Sequence, residues 1–380
     1  MTSIDVLIVG GGPAGSTLGY LLQKNGHSCC IVEKYAFPRE KLCGGLLTQK
    51  TVSLIENIYG EINFPCEGIT SNINLFLGTH KITDVTADSK FYLVERYDFD
   101  YYLIKKYQEI SGLLYENSKV TSIDLINNIA VINDEEKVAY KILVGADGAN
   151  SQIRKYIDGD FRANVACLEC NYPSENIIEG VSIYLSFVRY GYAWRFAKKN
   201  HYTVGIGGMV KKNKKLKEIF ASFLKSVNIE IKENEIKGAM VPCGKYVKTP
   251  CKDNILLIGD AAGFVDSITG EGIYFALLSA QYAHSAINDF LKHGLSLPKN
   301  YLNRVVYIQN KIKDANFFHR FYFNDHLKPF LVKLVKGRKT MIKYVCDNII
   351  SHYNVSYSIF PFHYLRVRNK INPSRTPLSD

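Results

Sequence analysis

The chain has 380 residues, 47% of them hydrophobic, enough to bury a large core in two domains or one elaborated one. It holds no apolar run of the ~18 residues a membrane-spanning helix needs, and its nine cysteines and leader-free start fit reduced thiols, in the cytoplasm or on a cytosolic membrane face. The formal net charge is +11, and the excess is concentrated in residues 311–380, where Lys and Arg far outnumber Asp and Glu.

The first predicted element is a buried strand over residues 4–9, apolar, β-branched and bounded by glycine. Gly10-Gly11-Gly12-Pro13-Ala14-Gly15 follows, and a helix over 13–24 takes Pro13 into its first turn. Gly10 suits a tight turn, Gly12 a close approach of backbone to a pyrophosphate, and Gly15 the packing of helix on strand. A second strand over 28–32 ends in Glu33, about 20 residues past the turn, where a carboxylate can reach a ribose diol. This combination predicts an adenine-dinucleotide ligand.

Further strands are expected over 70–77 and 90–94, the first by its alternating pattern. A short strand over 141–144 runs into Gly145-Ala146-Asp147-Gly148, which reads either as a plain turn or as a second cofactor block. In a strand over 164–172, Cys167 and Cys170 stand three apart and so face opposite sides. No second Cys/His pair follows at zinc spacing, so no metal site is expected. Strands over 180–189, 192–197 and 202–210 come next, with Tyr192, Trp194 and Phe196 on one face, either a pocket wall or core packing. Gly205-Ile206-Gly207-Gly208 lacks the third glycine and following helix of a second dinucleotide motif. The basic cluster 211–217 leads into a helix over 216–227. A final apolar strand over 255–258 ends on Gly259-Asp260, and a helix over 274–290 begins just past Gly270-Glu271-Gly272-Ile273. Backbone N–H groups at that helix start suit a cofactor edge. Glu271 reads either as a second acid or as a cap for the helix.

The three glycine blocks, in this order, resemble the p-hydroxybenzoate-hydroxylase-like group of FAD-binding proteins. Arg96-Tyr97-Asp98-Phe99-Asp100-Tyr101-Tyr102-Leu103 is similar to that group's R-x-x-F-D-x-x-L segment, whose arginine approaches the cofactor. Lys41-Leu42-Cys43-Gly44-Gly45 is similar to the K-x-C-G-G segment of the geranylgeranyl reductase family. Tyr192-Ala193-Trp194-Arg195-Phe196-Ala197-Lys198 is similar to its Y-x-W-x-F-P-K strand, with Ala197 in place of proline. The resemblance covers about residues 1–290. It implies FAD held by Gly10, Gly12, Pro13, Ala14, Gly15, Glu33, Lys34, Cys43, Gly44, Arg96, Val120, Asp147, Asp260, Gly270, Gly272 and Ile273. Cys43 would lie near the flavin ring, where it either relays a proton or packs as a small apolar residue. Electrons would come from transient NAD(P)H or from a protein donor.

The expected fold is α/β: a discontinuous Rossmann-like FAD-binding domain (1–60, 92–158 and 240–295), a sheet-bearing substrate domain (61–91 and 159–239) and a helical, basic, aromatic-rich cap (296–380). A helix over 326–345 would carry Leu327, Phe330, Leu331, Leu334, Met341, Ile342 and Val345 on one stripe. It reads as a packed helix with a solvated basic face, or as a surface for anionic lipid or an acidic redox partner. Nucleic acid is not an expected partner. The leading functional expectation is reduction of carbon–carbon double bonds in a prenyl or other apolar substrate. The alternatives are an FAD monooxygenase using NAD(P)H and oxygen, and an electron-relay or binding flavoprotein.

Overall fold

The computed structural model describes residues 2–60, 63–324, 326–327, 333, 336–352 and 357. Two eight-stranded sheets organise it. The first has the order β15-β16-β9-β1-β2-β6, built from β1 (Thr2–Val9), β2 (Cys29–Val32), β6 (Leu113–Tyr115), β9 (Glu136–Gly145), β15 (Cys251–Lys252) and β16 (Ile255–Leu257). The hairpin strands β7 (Val120–Asp124) and β8 (Ile129–Ile132) attach to β9. Its central strands are parallel and buried, which explains their unbroken Val/Ile/Leu/Cys character.

Register brings the three glycine blocks together. Val9 on β1 pairs with Gly145 on β9, and Leu257 on β16 pairs with the same Gly145. The loops after all three strands therefore leave the sheet at one level, at its carboxyl edge, where open α/β sheets bind ligands. The helices α1 (Pro13–Lys24), α3 (Arg96–Glu109) and α5 (Ile273–His293) pack beside this sheet, with α1 contacting both others.

The second sheet has the order β14-β10-β13-β12-β11-β4-β5-β3. Its strands are β3 (Leu46–Thr48), β4 (Gly68–Leu77), β5 (His80–Leu93), β10 (Val165–Pro173), β11 (Val181–Leu185), β12 (Gly191–Ala197), β13 (His201–Met209) and β14 (Lys237–Val241). The sheet thus takes strands from both sides of the expected borders at 60/61 and 239/240. One face carries Ala193, Val204, Ile206 and Cys170 against α4 (Leu216–Ser226) and its Phe220 and Phe223. The other face turns towards the first sheet.

Four features depart from expectation. β5 is one long strand from His80 rather than a short one near residue 90, because its exposed positions are polar while Val85, Ala87, Phe91 and Leu93 alternate inward. The helix α2 (Gln49–Tyr59) and the β7–β8 hairpin were not anticipated. The expected helix over 326–345 is interrupted. Gly337 has φ +73°, and a short α7 (Lys339–Tyr344) runs on as a π-helix, Val345–Ile350. Of the predicted stripe, Phe330, Leu331 and Leu334 lie outside the described residues, as do Tyr353, Phe360, Phe362 and Tyr364. Met341 is buried in a small cluster with Ala315 and Ile349. Lys339 and Lys343 pair with Asp84 and Asp88 of β5. The long α6 (Leu297–Tyr322) packs on α5.

Candidate functional site

Between the carboxyl edge of the first sheet and the inner face of the second lies a cavity of about 1570 Å³. Ordinary small-molecule pockets measure ~300–1,000 Å³. This one has room for a dinucleotide and a second ligand.

Every residue named above for the cofactor or the substrate, save Gly15, lines this cavity. Gly15 stands just behind it: a Cβ there would lie 1.9 Å from the Gly10 carbonyl oxygen. Gly10 has φ +105°, and a Cβ on it would collide with Ala146 and Asp147 of the second block. A Cβ on Gly12 would meet only Arg39, so the cavity reaches the N-terminus of α1, whose first turn has no side-chain cap. Free N–H groups at a helix start attract a phosphate.

A chain of charges borders this end. Glu33 accepts the Gly11 N–H at 2.9 Å and stands 3.6 Å from Arg39 Nε. Arg39 reaches Asp100 at 3.3 Å, and Arg96 grips the same carboxylate through two bonds of 2.6 and 2.8 Å. Burial works against the Arg96 charge, yet Asp100 and the Cys43 side chain outweigh it and raise its pKa. Lys34 and Val120 complete the wall here.

Asp147 accepts the N–H groups of Gln152 and Ile153 through Oδ2, while its buried Oδ1 has no partner. Burial raises its pKa. Arg154 joins the second and third blocks by donating to the carbonyls of Ala149 and Ala261 at 2.6 and 3.0 Å. Asp260 lies next to Gly272, where a Cβ would stand 3.2 Å from its Oδ1. Gly270 has φ +71°, and Gly272 precedes Ile273, the first residue of α5. Bare backbone at three converging turns, with an unsatisfied carboxylate oxygen among them, fits a flavin dinucleotide.

The opposite wall is aromatic. Tyr192, Trp194 and Phe196 face the cavity from β12; the Trp194 and Phe196 rings stack at 6.3 Å, and the Tyr192 ring meets Trp194 edge-on at 6.0 Å. The Tyr192 hydroxyl donates to the Thr269 carbonyl, joining this wall to the Gly270 turn. The half-buried Cys43 lies beside it. A Cβ on Gly44 would stand 2.6 Å from the Phe196 ring, and Gly45 (φ +73°) leaves its Cα pressed towards the Val94 carbonyl. Ala197, where the related strand has proline, donates its N–H to Gly180 at 3.3 Å, a bond proline could not make.

Several site residues carried no sequence signal, or one that was misassigned. The Gly205–Gly207 pair, set aside as a failed dinucleotide motif, is the floor under the indole: a Cβ on Gly205 would sit 2.3 Å from Trp194. Cys167 lines the cavity while Cys170 packs on the far side, as strand alternation predicts. Among the described residues no group of His, Cys, Asp or Glu could hold a metal. Glu169, between these cysteines, is buried at the cavity wall, and its Oε2 has no hydrogen-bond partner. Burial pushes its pKa up to about 7, against the charge of Lys198. Glu271 does not cap α5. It binds Lys50 at 2.6 Å and the Thr48 and Thr51 hydroxyls at 2.7 and 3.2 Å. Lys50 also donates to the Ile350 carbonyl, which ties down the π-helix whose Cys346 and Ile350 close the aromatic end.

A family model described as an FAD binding domain matches residues 3–177. An uncharacterized protein of Methanosarcina barkeri is 29% identical over 340 residues, covering 86% of this chain and 85% of its own. A digeranylgeranylglycerophospholipid reductase of Methanococcus vannielii is 29% identical over 296 residues, covering 72% and 74%. Among solved structures, a geranylgeranyl bacteriochlorophyll reductase-like protein of Thermoplasma acidophilum shares the fold with a TM-score of 0.74 at 20% identity, covering 98% of each chain.

Proposed function

We propose, for a chain that belongs to the geranylgeranyl reductase family of FAD-dependent oxidoreductases, that it reduces carbon–carbon double bonds of a prenyl or other long apolar substrate. The observation that carries this reading is the wall of Tyr192, Trp194 and Phe196 facing the cofactor turns across one cavity. Such a wall suits an apolar chain laid against a ring, and bound reduced flavin would supply the hydride.

In this reading Gly10, Gly12, Pro13, Ala14 and Gly15 hold the diphosphate, and Glu33 with Lys34 and Val120 holds the adenosine end. Asp147 and Asp260 take the linking hydroxyls. Gly270, Gly272 and Ile273 front one edge of the ring; Cys43, Gly44 and Arg96 front the other. Electrons arrive from NAD(P)H or a protein donor, as no second dinucleotide motif follows a strand. The test is anaerobic: photoreduced enzyme is mixed with a panel of unsaturated isoprenoids. Reoxidation of the flavin with formation of the saturated product is expected. A flavin that stays reduced across the panel refutes the reading.

The basic C-terminal stretch serves, in the same proposal, to rest the protein on an anionic membrane. Val306, Tyr307, Lys313, Phe317, Arg320 and Phe321 are exposed along α6, a mixture that suits a lipid interface. No helix among the described residues is long and apolar enough to cross a membrane. Flotation with anionic but not neutral vesicles, weakened by salt, is the expected result. Equal flotation with both refutes it.

A further inference from the structure

Glu169 stands on β10 opposite Gly205 of β13. Glycine gives it no side-chain cover, and the Trp194 indole occupies the space above that glycine. Cys167, two residues earlier, lines the same cavity. An acceptor and a donor, Glu169 Oε2 and Trp194 Nε1, therefore face each other in one patch of an otherwise apolar wall without completing a well-formed hydrogen bond. The Cys43 amide faces the carboxyl as well.

The neighbouring charges leave this carboxyl uncompensated. Lys198 is the nearby cation, but its amine is bound at 2.6 Å to Glu95, which also accepts from His201 Nε2 at 3.0 Å. Glu95 itself repels a charge on Glu169, and the remaining neighbours, the Trp194 N–H, the Cys43 amide and the Cys167 thiol, bring dipoles but no cation. A buried carboxyl in such a place keeps its proton near neutral pH.

We infer that Glu169 is the acid of this cavity, the residue that delivers the proton when the substrate double bond is reduced. The inference rests on the reductase reading above. Reduction adds two hydrogens across the bond. One would come with its electron pair from bound reduced flavin. For the other, the O–H bond of Glu169 breaks as a C–H bond forms, and the carboxylate regains its proton from water. Cys43 is then a packing and positioning residue of the turn rather than the proton source.

The test uses the full chain loaded with FAD. Difference infrared spectra of the parent should show a protonated carboxyl band that fades as pH rises through about 7, and Glu169→Gln should lack it. In single turnover with geranylgeraniol, the parent should slow over the same pH range. Glu169→Gln should bind FAD normally, react about 100-fold more slowly and lose that pH dependence. Glu169→Asp should keep part of the rate. A Glu169→Gln enzyme with the parent's rate and pH profile overturns the inference, as does a parent without the titrating band. If the parent ignores isoprenoids while the band still titrates, the double-bond reading falls. The proton-delivery role of Glu169 falls with it.

Discussion

The two ends of the cavity are built on opposite principles. At the dinucleotide end, backbone does the shaping, the charges of Glu33, Arg39, Asp100 and Arg96 offset one another, and Asp147 keeps one carboxylate oxygen open for a ligand. At the aromatic end, side chains do the shaping, and the Glu169 carboxyl has the Trp194 N–H beside it but no cation of its own. A binding end gains from satisfied groups that hold one geometry. A reacting end needs a group whose proton can leave, and a buried acid without a cation of its own, set in an apolar wall, is such a group. The contrast separates where the ligand is gripped from where it is changed.

The largest expected effect tests the rigid end. Gly15→Ala drives a Cβ to 1.9 Å from the Gly10 carbonyl oxygen, a backbone atom that cannot turn aside, with the Ala146 Cβ at 3.3 Å. It should cost about 3 kcal/mol and empty the protein of FAD, read by thermal melting and visible absorbance. The matching change at the other end, Gly44→Ala, meets the edge of the Phe196 ring, which can turn. FAD content should hold while turnover falls. If both variants lose FAD alike, the two ends are not built differently.

A second test concerns stability. The folded pKa of Glu169, about 7, lies above the ordinary 4.5. An acid raised on folding contributes stability in full below its unfolded pKa, and that contribution disappears as pH rises through the folded value. Glu169→Gln should therefore match the parent at about pH 4 and become more stable by roughly 2–3 kcal/mol at about pH 8. A constant difference across that range would place the carboxyl in a different environment. Next in size, Arg39→Ala should weaken FAD binding about tenfold, as it removes the cation beside Glu33 and Gly12. This is checked by titration of apoprotein. The smallest effect is Tyr192→Phe, which loses the hydroxyl bond to Thr269. It should cost about 1 kcal/mol and raise KM more than it lowers kcat.

The contrast also explains what could be read in advance. Gly10, Gly12 and Gly15, the strand ends and Glu33 are local demands of backbone geometry, so a short stretch of sequence states each of them. The aromatic alternation of Tyr192, Trp194 and Phe196 was legible for the same reason. Glu169 was not, because a glutamate in a strand looks solvent-facing until the Trp194 indole, laid over Gly205 on the neighbouring strand, covers it. Glu271 was misjudged since its partners Thr48, Lys50 and Thr51 lie more than 200 residues away. The interrupted helix near Gly337 shows apolar spacing overridden by one left-handed glycine and by docking onto β5.

Trp194 is the single tryptophan of the chain, and it stands in the cavity wall. The protein thus carries one indole fluorophore, excitable apart from its 26 tyrosines and placed where cofactor and substrate would meet. Its emission reads out occupancy without any label. Bound flavin would drain the excited indole by energy transfer, and a saturated hydrocarbon neighbour would shift the emission to the blue.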